Sequence, residues 1–153
     1  MNPSKILFVC VANVCRSPMA EWLLKDQIRR DGESGRTHIQ ARSAGISAQN
    51  GCDASDQALM VMRERGIDIS RHRARKIDSE ILEWADLVLC MSQDQVVTLK
   101  QSFPESQNKI FLLTQYCGDS GDIDDPSGRH TSVFEECAQR MNSLISALVE
   151  KTK

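Results

Sequence analysis

Short, wholly apolar runs alternate along this chain with longer stretches in which apolar residues recur every three or four positions. Ile6-Leu7-Phe8-Val9, Leu87-Val88-Leu89-Cys90-Met91 and Ile110-Phe111-Leu112-Leu113 are continuous apolar runs, the pattern of strands buried on both faces of a parallel sheet. A further strand is expected at about 38–42, before a turn at Gly45. Ser17-Pro18 reads as N-cap and first residue of a helix that runs to about Arg30, with Ala20, Leu23, Leu24 and Ile28 on one face. Asp31-Gly32 and Ser34-Gly35 end it. Ala58, Leu59 and Met62 mark a helix over about 53–65, with Gly66 just past its end. Another spans about 79–85. Ser92-x-x-Gln95 has the form of a capping box for a helix ending near Ser102, ahead of Pro104. Ser132-x-x-Glu135 has the same form before a long helix with Phe134, Cys137, Met141, Leu144, Ile145 and Leu148 on one face.

Strands alternating with helices predict one α/β domain over 1–153, with a four-stranded, mostly parallel sheet and helices on both faces. Ligands in such folds bind at the carboxyl ends of the strands. That directs attention to the loop at 10–17 and to the polar loop from about Gly118 to His130.

Composition narrows the classes. The 153 residues, 41% hydrophobic and 26% charged, suffice for one core and argue against disorder. Nineteen basic and 21 acidic residues give a net charge of -2. Nothing there draws the whole molecule to nucleic acid or to an anionic membrane, and any anion site must be local. No apolar run approaches the roughly 18 residues of a membrane span, and 6–9 is too short for a signal-peptide core. A soluble cytoplasmic protein is expected. The cysteines at 10, 15, 52, 90, 117 and 137 form no Cys-x-x-Cys pair, and His38, His72 and His130 are scattered. That spacing predicts neither a metal nor another cofactor.

The stretch Cys10-Val11-Ala12-Asn13-Val14-Cys15-Arg16-Ser17 joins a buried strand to a helix N-terminus. A phosphate there meets several backbone N–H groups and the positive end of the helix dipole, and Arg16 adds a planar fork for two anion oxygens. Cys10 lies at the base of the same field, placed for in-line attack on phosphorus. Ser17 can hydrogen-bond its sulfur. Asn13 suits a loop because asparagine tolerates a left-handed backbone. Cleaving a phosphate monoester also needs a proton donor, and Asp119, Asp122, Asp124 and Asp125 all lie in the polar loop. Spacing does not choose among them. The basic run from Arg71 to Lys76 reads as a solvated face, with His72 a surface residue within it and attraction of acidic phosphoprotein segments as its alternative role.

Val9-Cys10-Val11-Ala12-Asn13-Val14-Cys15-Arg16-Ser17-Pro18 resembles the signature of the low-molecular-weight protein tyrosine phosphatases. Ser43-Ala44-Gly45, Gly66-Ile67, Ser70, His72-Arg73-Ala74-Arg75, Ala85-Asp86-Leu87-Val88 and Asp125-Pro126 extend the resemblance over nearly the whole chain. It implies the α/β fold already expected, with Cys10 as nucleophile, Arg16 and the backbone of 11–16 as the phosphate cradle, and Asp125, stiffened by Pro126, as acid and then base. It also implies that Asn13, Ser43 and His72 hold the loop in shape, and that Cys10 and Cys15 can form a reversible disulfide under peroxide. The implied partners are a phosphotyrosine-bearing protein, a tyrosine kinase among the candidates, and inorganic phosphate or another oxyanion. The chain is then a monomer or weak dimer.

Three positions depart from the family pattern. Ala12 stands where glycine is usual. Gln49 and Ser127 stand where bulky or aromatic groups usually wall the phosphotyrosine ring, which weakens ring stacking and leaves the phosphate chemistry intact. Readings from other classes follow from the same loop: a phosphoarginine phosphatase, with Val14 as one determinant, a thiol-dependent arsenate reductase, or an anion-binding module without turnover. The reductase needs two further cysteines close together. The module needs neither a nucleophile nor an acid.

Overall fold

Four strands form the sheet: β1 (Lys5–Cys10), β2 (Gln40–Gly45), β3 (Leu87–Cys90) and β4 (Ile110–Leu112). The structure is a computed structural model and describes residues 2–31 and 38–152. All pairings are parallel, in the order β2-β1-β3-β4. The chain moves outward from β1 on one side and returns to place β3 on the other. The end of β1 is therefore the topological switch point, the place at the carboxyl edge of the sheet where ligands bind in such folds.

Among the described residues six helices connect and cover the strands: α1 (Arg16–Asp31), α2 (Asp56–Glu64), α3 (Ser79–Trp84), α4 (Gln93–Ser102), the single turn α5 (Leu113–Tyr116) and α6 (Thr131–Lys151). Alternating side chains of β1 divide the core. Ile6, Phe8 and Cys10 face α1, α2 and α6, while Leu7 and Val9 face α3 and α4. Both faces of the strand are buried, which is why it reads as an unbroken apolar run.

The α/β class, the parallel sheet and its cover on both faces match the pattern-based expectation. Gly66 takes a left-handed backbone just past α2, and Ser92 and Gln95 form both arms of the capping box. Several boundaries differ. The expected strand at 38–42 is instead Gln40–Gly45, because parallel pairing carries it level with Cys10. The helix expected from 53 begins at Asp56, capped by Ser55. The strand expected to reach Met91 stops at Cys90, and Leu113 opens α5 rather than closing β4. Pro104–Lys109 adds a 3-10 helix that apolar periodicity gave no sign of.

Two predicted helix starts are corrected. Helix α1 opens at Arg16, with the Cys15 carbonyl accepting from Met19 N–H at 3.2 Å. Ser17 is thus inside the first turn, where its hydroxyl is turned to Cys10, and Pro18 is tolerated because first-turn amides need no helical partner. Helix α6 starts at Thr131 with His130 as its cap: Nδ1 of His130 accepts from Ser132 N–H, so the Ser132–Glu135 capping box does not form. The stop signals Gly32, Ser34 and Gly35 lie outside the described residues.

Candidate active site

Past Cys10 the chain leaves the sheet and turns through residues 11–15 before entering α1. The continuing edge of β2 supports that loop from one side. Cys10 and Val11 carbonyls accept from Ile46 and Ser47 N–H at 3.0 and 2.9 Å, extending the parallel register beyond the strands. From the other side Ser55 N–H donates to the Val14 carbonyl at 2.9 Å. Gly45 sits where these supports meet. A Cβ there would lie 2.6 Å from the Val11 carbonyl oxygen and 2.9 Å from Asn13 N and Ala48 Cβ.

Asn13 is fully buried and the only non-glycine residue among those described with a left-handed backbone, at φ 58°. Its side chain orders a hydrogen-bond network beneath the loop. Glu21 Oε1 accepts from Ser43 Oγ at 2.6 Å. Asn13 Nδ2 donates to Ser43 Oγ at 2.9 Å and to Ser17 Oγ at 2.8 Å. One of the two Ser17 Oγ lone pairs accepts from Asn13, and the hydroxyl has Cys10 Sγ within reach of its proton, 2.9 Å away. Asn13 N–H approaches the same sulfur at 3.3 Å. Asn13 Oδ1 accepts from Arg75 N–H at 2.9 Å. His72 Nε2 lies 2.7 Å from the Asn13 carbonyl, and since a carbonyl only accepts, Nε2 carries the proton.

Reading the residues alone, His72 belongs on a solvated face. Instead it is buried, because the Arg71–Lys76 segment pairs with 45–52 and passes behind the loop. The charged neighbours Arg71, Arg73 and Lys76 do remain exposed. Ala12 is exposed, and its backbone lies outside the left-handed region, so an alanine there introduces no strain.

Arg16 is buried. Its Nη1 donates to the Ile123 carbonyl at 2.8 Å, and its Nη2 lies 3.8 Å from Asp125 Oδ2. Of the four aspartates in the polar loop, Asp125 is the one seen paired with Arg16. Asp122 Oδ1 accepts from Gln93 N–H, and Asp119 lies near Arg140. Partial burial pushes the Asp125 carboxyl up, but the Ser127 amide (3.0 Å to Oδ1) and hydroxyl, helped by Arg16, outweigh it and hold it below the usual carboxylate range. Pro126 is buried behind it.

Cys15 is buried under the loop, its Sγ near Ser55 Oγ (3.3 Å) and Ser127 Oγ (3.4 Å), and burial pushes its thiol up. The six cysteines are all free. Ser127 is exposed but lies over Cys15, whereas Gln49 is exposed in the turn after β2 and accepts through its carbonyl from Cys52 N–H. Neither offers an apolar wall. Among the described residues no group of three His, Cys, Asp or Glu side chains gathers as a metal site.

A family model described as low molecular weight phosphotyrosine protein phosphatase covers residues 5–153. The chain belongs to that family. Curated relatives include a protein-arginine-phosphatase of Geobacillus stearothermophilus, 38% identical over 97% of this chain and 96% of its own. A low molecular weight protein-tyrosine-phosphatase, Ptp of Acinetobacter johnsonii, is 36% identical over 95% of this chain and 96% of its own. A solved low molecular weight protein tyrosine phosphatase from T. tengcongensis superimposes with a TM-score of 0.90 at 40% identity, covering 96% of this chain and 98% of that one. The phosphatase fold and the general phosphatase role are thus shared with relatives that carry two different substrate names.

Sequence reasoning missed two contributors to the candidate site. Glu21, buried and bonded to both Ser43 and Lys25, stands one turn past Ser17 beside the apolar face of α1; a charge bordering a buried face was its only signal. Ser55 caps α2 and holds the loop at once. Cys137, on α6, is buried in the core, which pushes its thiol up to about 12. No helix among the described residues is long and apolar enough to cross a membrane.

Proposed function

We propose that this phosphatase hydrolyses phosphotyrosine in a protein through a phosphocysteine intermediate. Cys10 thiolate attacks phosphorus in line, the P–O bond to the tyrosine breaks, and Asp125 gives its proton to the departing oxygen. Water then attacks the phosphocysteine, yields its proton to Asp125, and the S–P bond breaks to return the thiolate and release phosphate. Arg16 and the amides of residues 11–16 carry the charge of the transferring group throughout. The observation that supports this most is the convergence of three chemistries at one strand end: a sulfur 2.9 Å from a hydroxyl, a buried guanidinium, and a carboxyl 3.8 Å from it.

Without a bound anion Asp125 is held ionised. A phosphoryl group in the cradle engages the Arg16 fork and adds negative charge beside the carboxyl, and both raise its proton affinity when a proton is needed. An arsenate-reductase relay fits less well. It needs reactive partner thiols, whereas burial pushes Cys90 up to about 12 and Cys117 up to about 11, as it does Cys137.

Phosphoarginine is a second reading, favoured by the polar residues at Gln49 and Ser127 and by the relative named a protein-arginine-phosphatase. Val14 keeps it open as well; against it, the exposed Val11 gives the rim apolar surface that suits an aryl group. The deciding experiment is steady-state turnover of a phosphotyrosine peptide beside phosphoarginine and arsenate, under reducing conditions with a chelator. Turnover of the peptide supports the proposal, and preference for phosphoarginine or arsenate overturns its substrate class. Cys10→Ser should abolish turnover while retaining phosphate binding; residual activity would remove Cys10 as nucleophile.

A further inference from the structure

The strap of chain leading to Asp125 is held from outside at four consecutive carbonyls. Ser120 O accepts from Arg140 Nη2 at 3.0 Å and Gly121 O from Thr114 Oγ1 at 2.6 Å. Asp122 O accepts from Arg140 Nη1 at 2.8 Å and Ile123 O from Arg16 Nη1 at 2.8 Å. Gly121, with its left-handed backbone, allows successive carbonyls to turn toward different partners. Asp122 Oδ1 and Ile123 N–H add ties to Gln93 N–H and the Met91 carbonyl.

Asp125 itself has little holding it. Its side chain is half exposed, with the Ser127 amide and the distant Arg16 pair as partners. Its placement is inherited from the strap behind it. Of the side chains that hold the strap, Arg16 is committed to the anion cradle and Thr114 takes one carbonyl. Arg140 takes two, with one planar fork, and joins the strap to the 21-residue helix α6.

We infer that Arg140 is a positioning residue for the proton donor: its fork fixes the strap so that Asp125 faces the leaving group. This rests on the reading of Asp125 as general acid given above. The Arg140 side chain is partly exposed, so replacing it does not strand a buried charge. A lysine can supply one bond but not the fork.

The test measures kcat/KM for 4-nitrophenyl phosphate, whose phenol leaves readily, and phenyl phosphate, whose phenol needs a proton. Variants are Arg140→Gln and Arg140→Lys, each alone and combined with Asp125→Ala. Misplacing an acid by a fraction of an ångström should lower phenyl phosphate turnover about tenfold in Arg140→Gln. The 4-nitrophenyl ester should lose less than about twofold, and Arg140→Lys should recover part of the loss. In the Asp125→Ala background, Arg140→Gln should change neither substrate. Equal losses for both esters, a loss that persists without Asp125, or no loss at all would overturn the inference. If Asp125→Ala alone penalises the two esters equally, the acid assignment fails instead, and the inference with it. A normal Asp125→Ala penalty with unselective Arg140 variants overturns only the role of Arg140.

Discussion

Gly45→Ala adds one methyl group at the point where β2, the phosphate loop and the turn after β2 meet. The glycine does not have a left-handed backbone, so the substitution isolates crowding from dihedral strain. Two of the three atoms the Cβ would strike are backbone: Val11 O at 2.6 Å and Asn13 N at 2.9 Å. No rotamer change relieves those. Restoring ordinary contact requires roughly 0.5–0.9 Å of movement in the loop or the strand. Overpacking of this kind costs about 1–3 kcal/mol, and a loop displaced by nearly 1 Å loses on the order of 10²-fold in turnover. Urea unfolding should show the midpoint falling with an unchanged slope, and kcat/KM for 4-nitrophenyl phosphate should fall together with affinity for inorganic phosphate. Gly66→Ala provides the contrast. Its φ is +78° and a Cβ there meets nothing within 4 Å, so it should cost about 1 kcal/mol of stability through the backbone alone and spare turnover. A Gly45→Ala enzyme within about 0.5 kcal/mol and twofold of the original would refute the crowding argument.

Asn13→Ala removes two donated bonds and one accepted bond at a buried left-handed position, and should destabilise by about 2–4 kcal/mol in urea unfolding. Asn13→Gly should cost less than Asn13→Ala, by the backbone share only. Ser127→Ala removes a hydroxyl that favours the ionised Asp125, so the carboxyl should keep its proton to higher pH. The alkaline limb of kcat/KM should move upward. The stability that Asp125's lowered pKa contributes above its unfolded pKa, lost as pH falls through the folded value, should shrink. An unmoved limb would assign it to another group. Cys15→Ser should abolish recovery by dithiothreitol after peroxide treatment if a Cys10–Cys15 disulfide protects the nucleophile. Equal recovery in both proteins would exclude that pair.

The fold class was legible because a strand buried on both faces can tolerate no polar position. Ile6–Val9 and Leu87–Cys90 therefore announce a parallel sheet from composition alone. The loop at 10–17 was legible because a strand end, an arginine and a helix start lie together in sequence. Helix starts were less secure. Ser17 and Ser132 both have the residue type of a cap, but whether a serine caps its own helix or bonds elsewhere depends on what stands nearby in space.

What the chain's order determined, then, is the local part: elements whose periodicity is written into consecutive residues, and an anion loop whose donors are neighbours. What the residues' own pattern left open, and the tertiary structure shows, is how groups meet across the switch point. His72 moved from a charged surface run to the back of the loop, Glu21 and Ser43 completed a hydrogen-bond network reaching Cys10, and Asp125 was separated from three other aspartates by its approach to Arg16. Those groups lie tens of residues apart, and the sheet register brings them together. Proton direction and carboxyl ionisation depend on distances of a few ångströms, which a linear sequence does not contain.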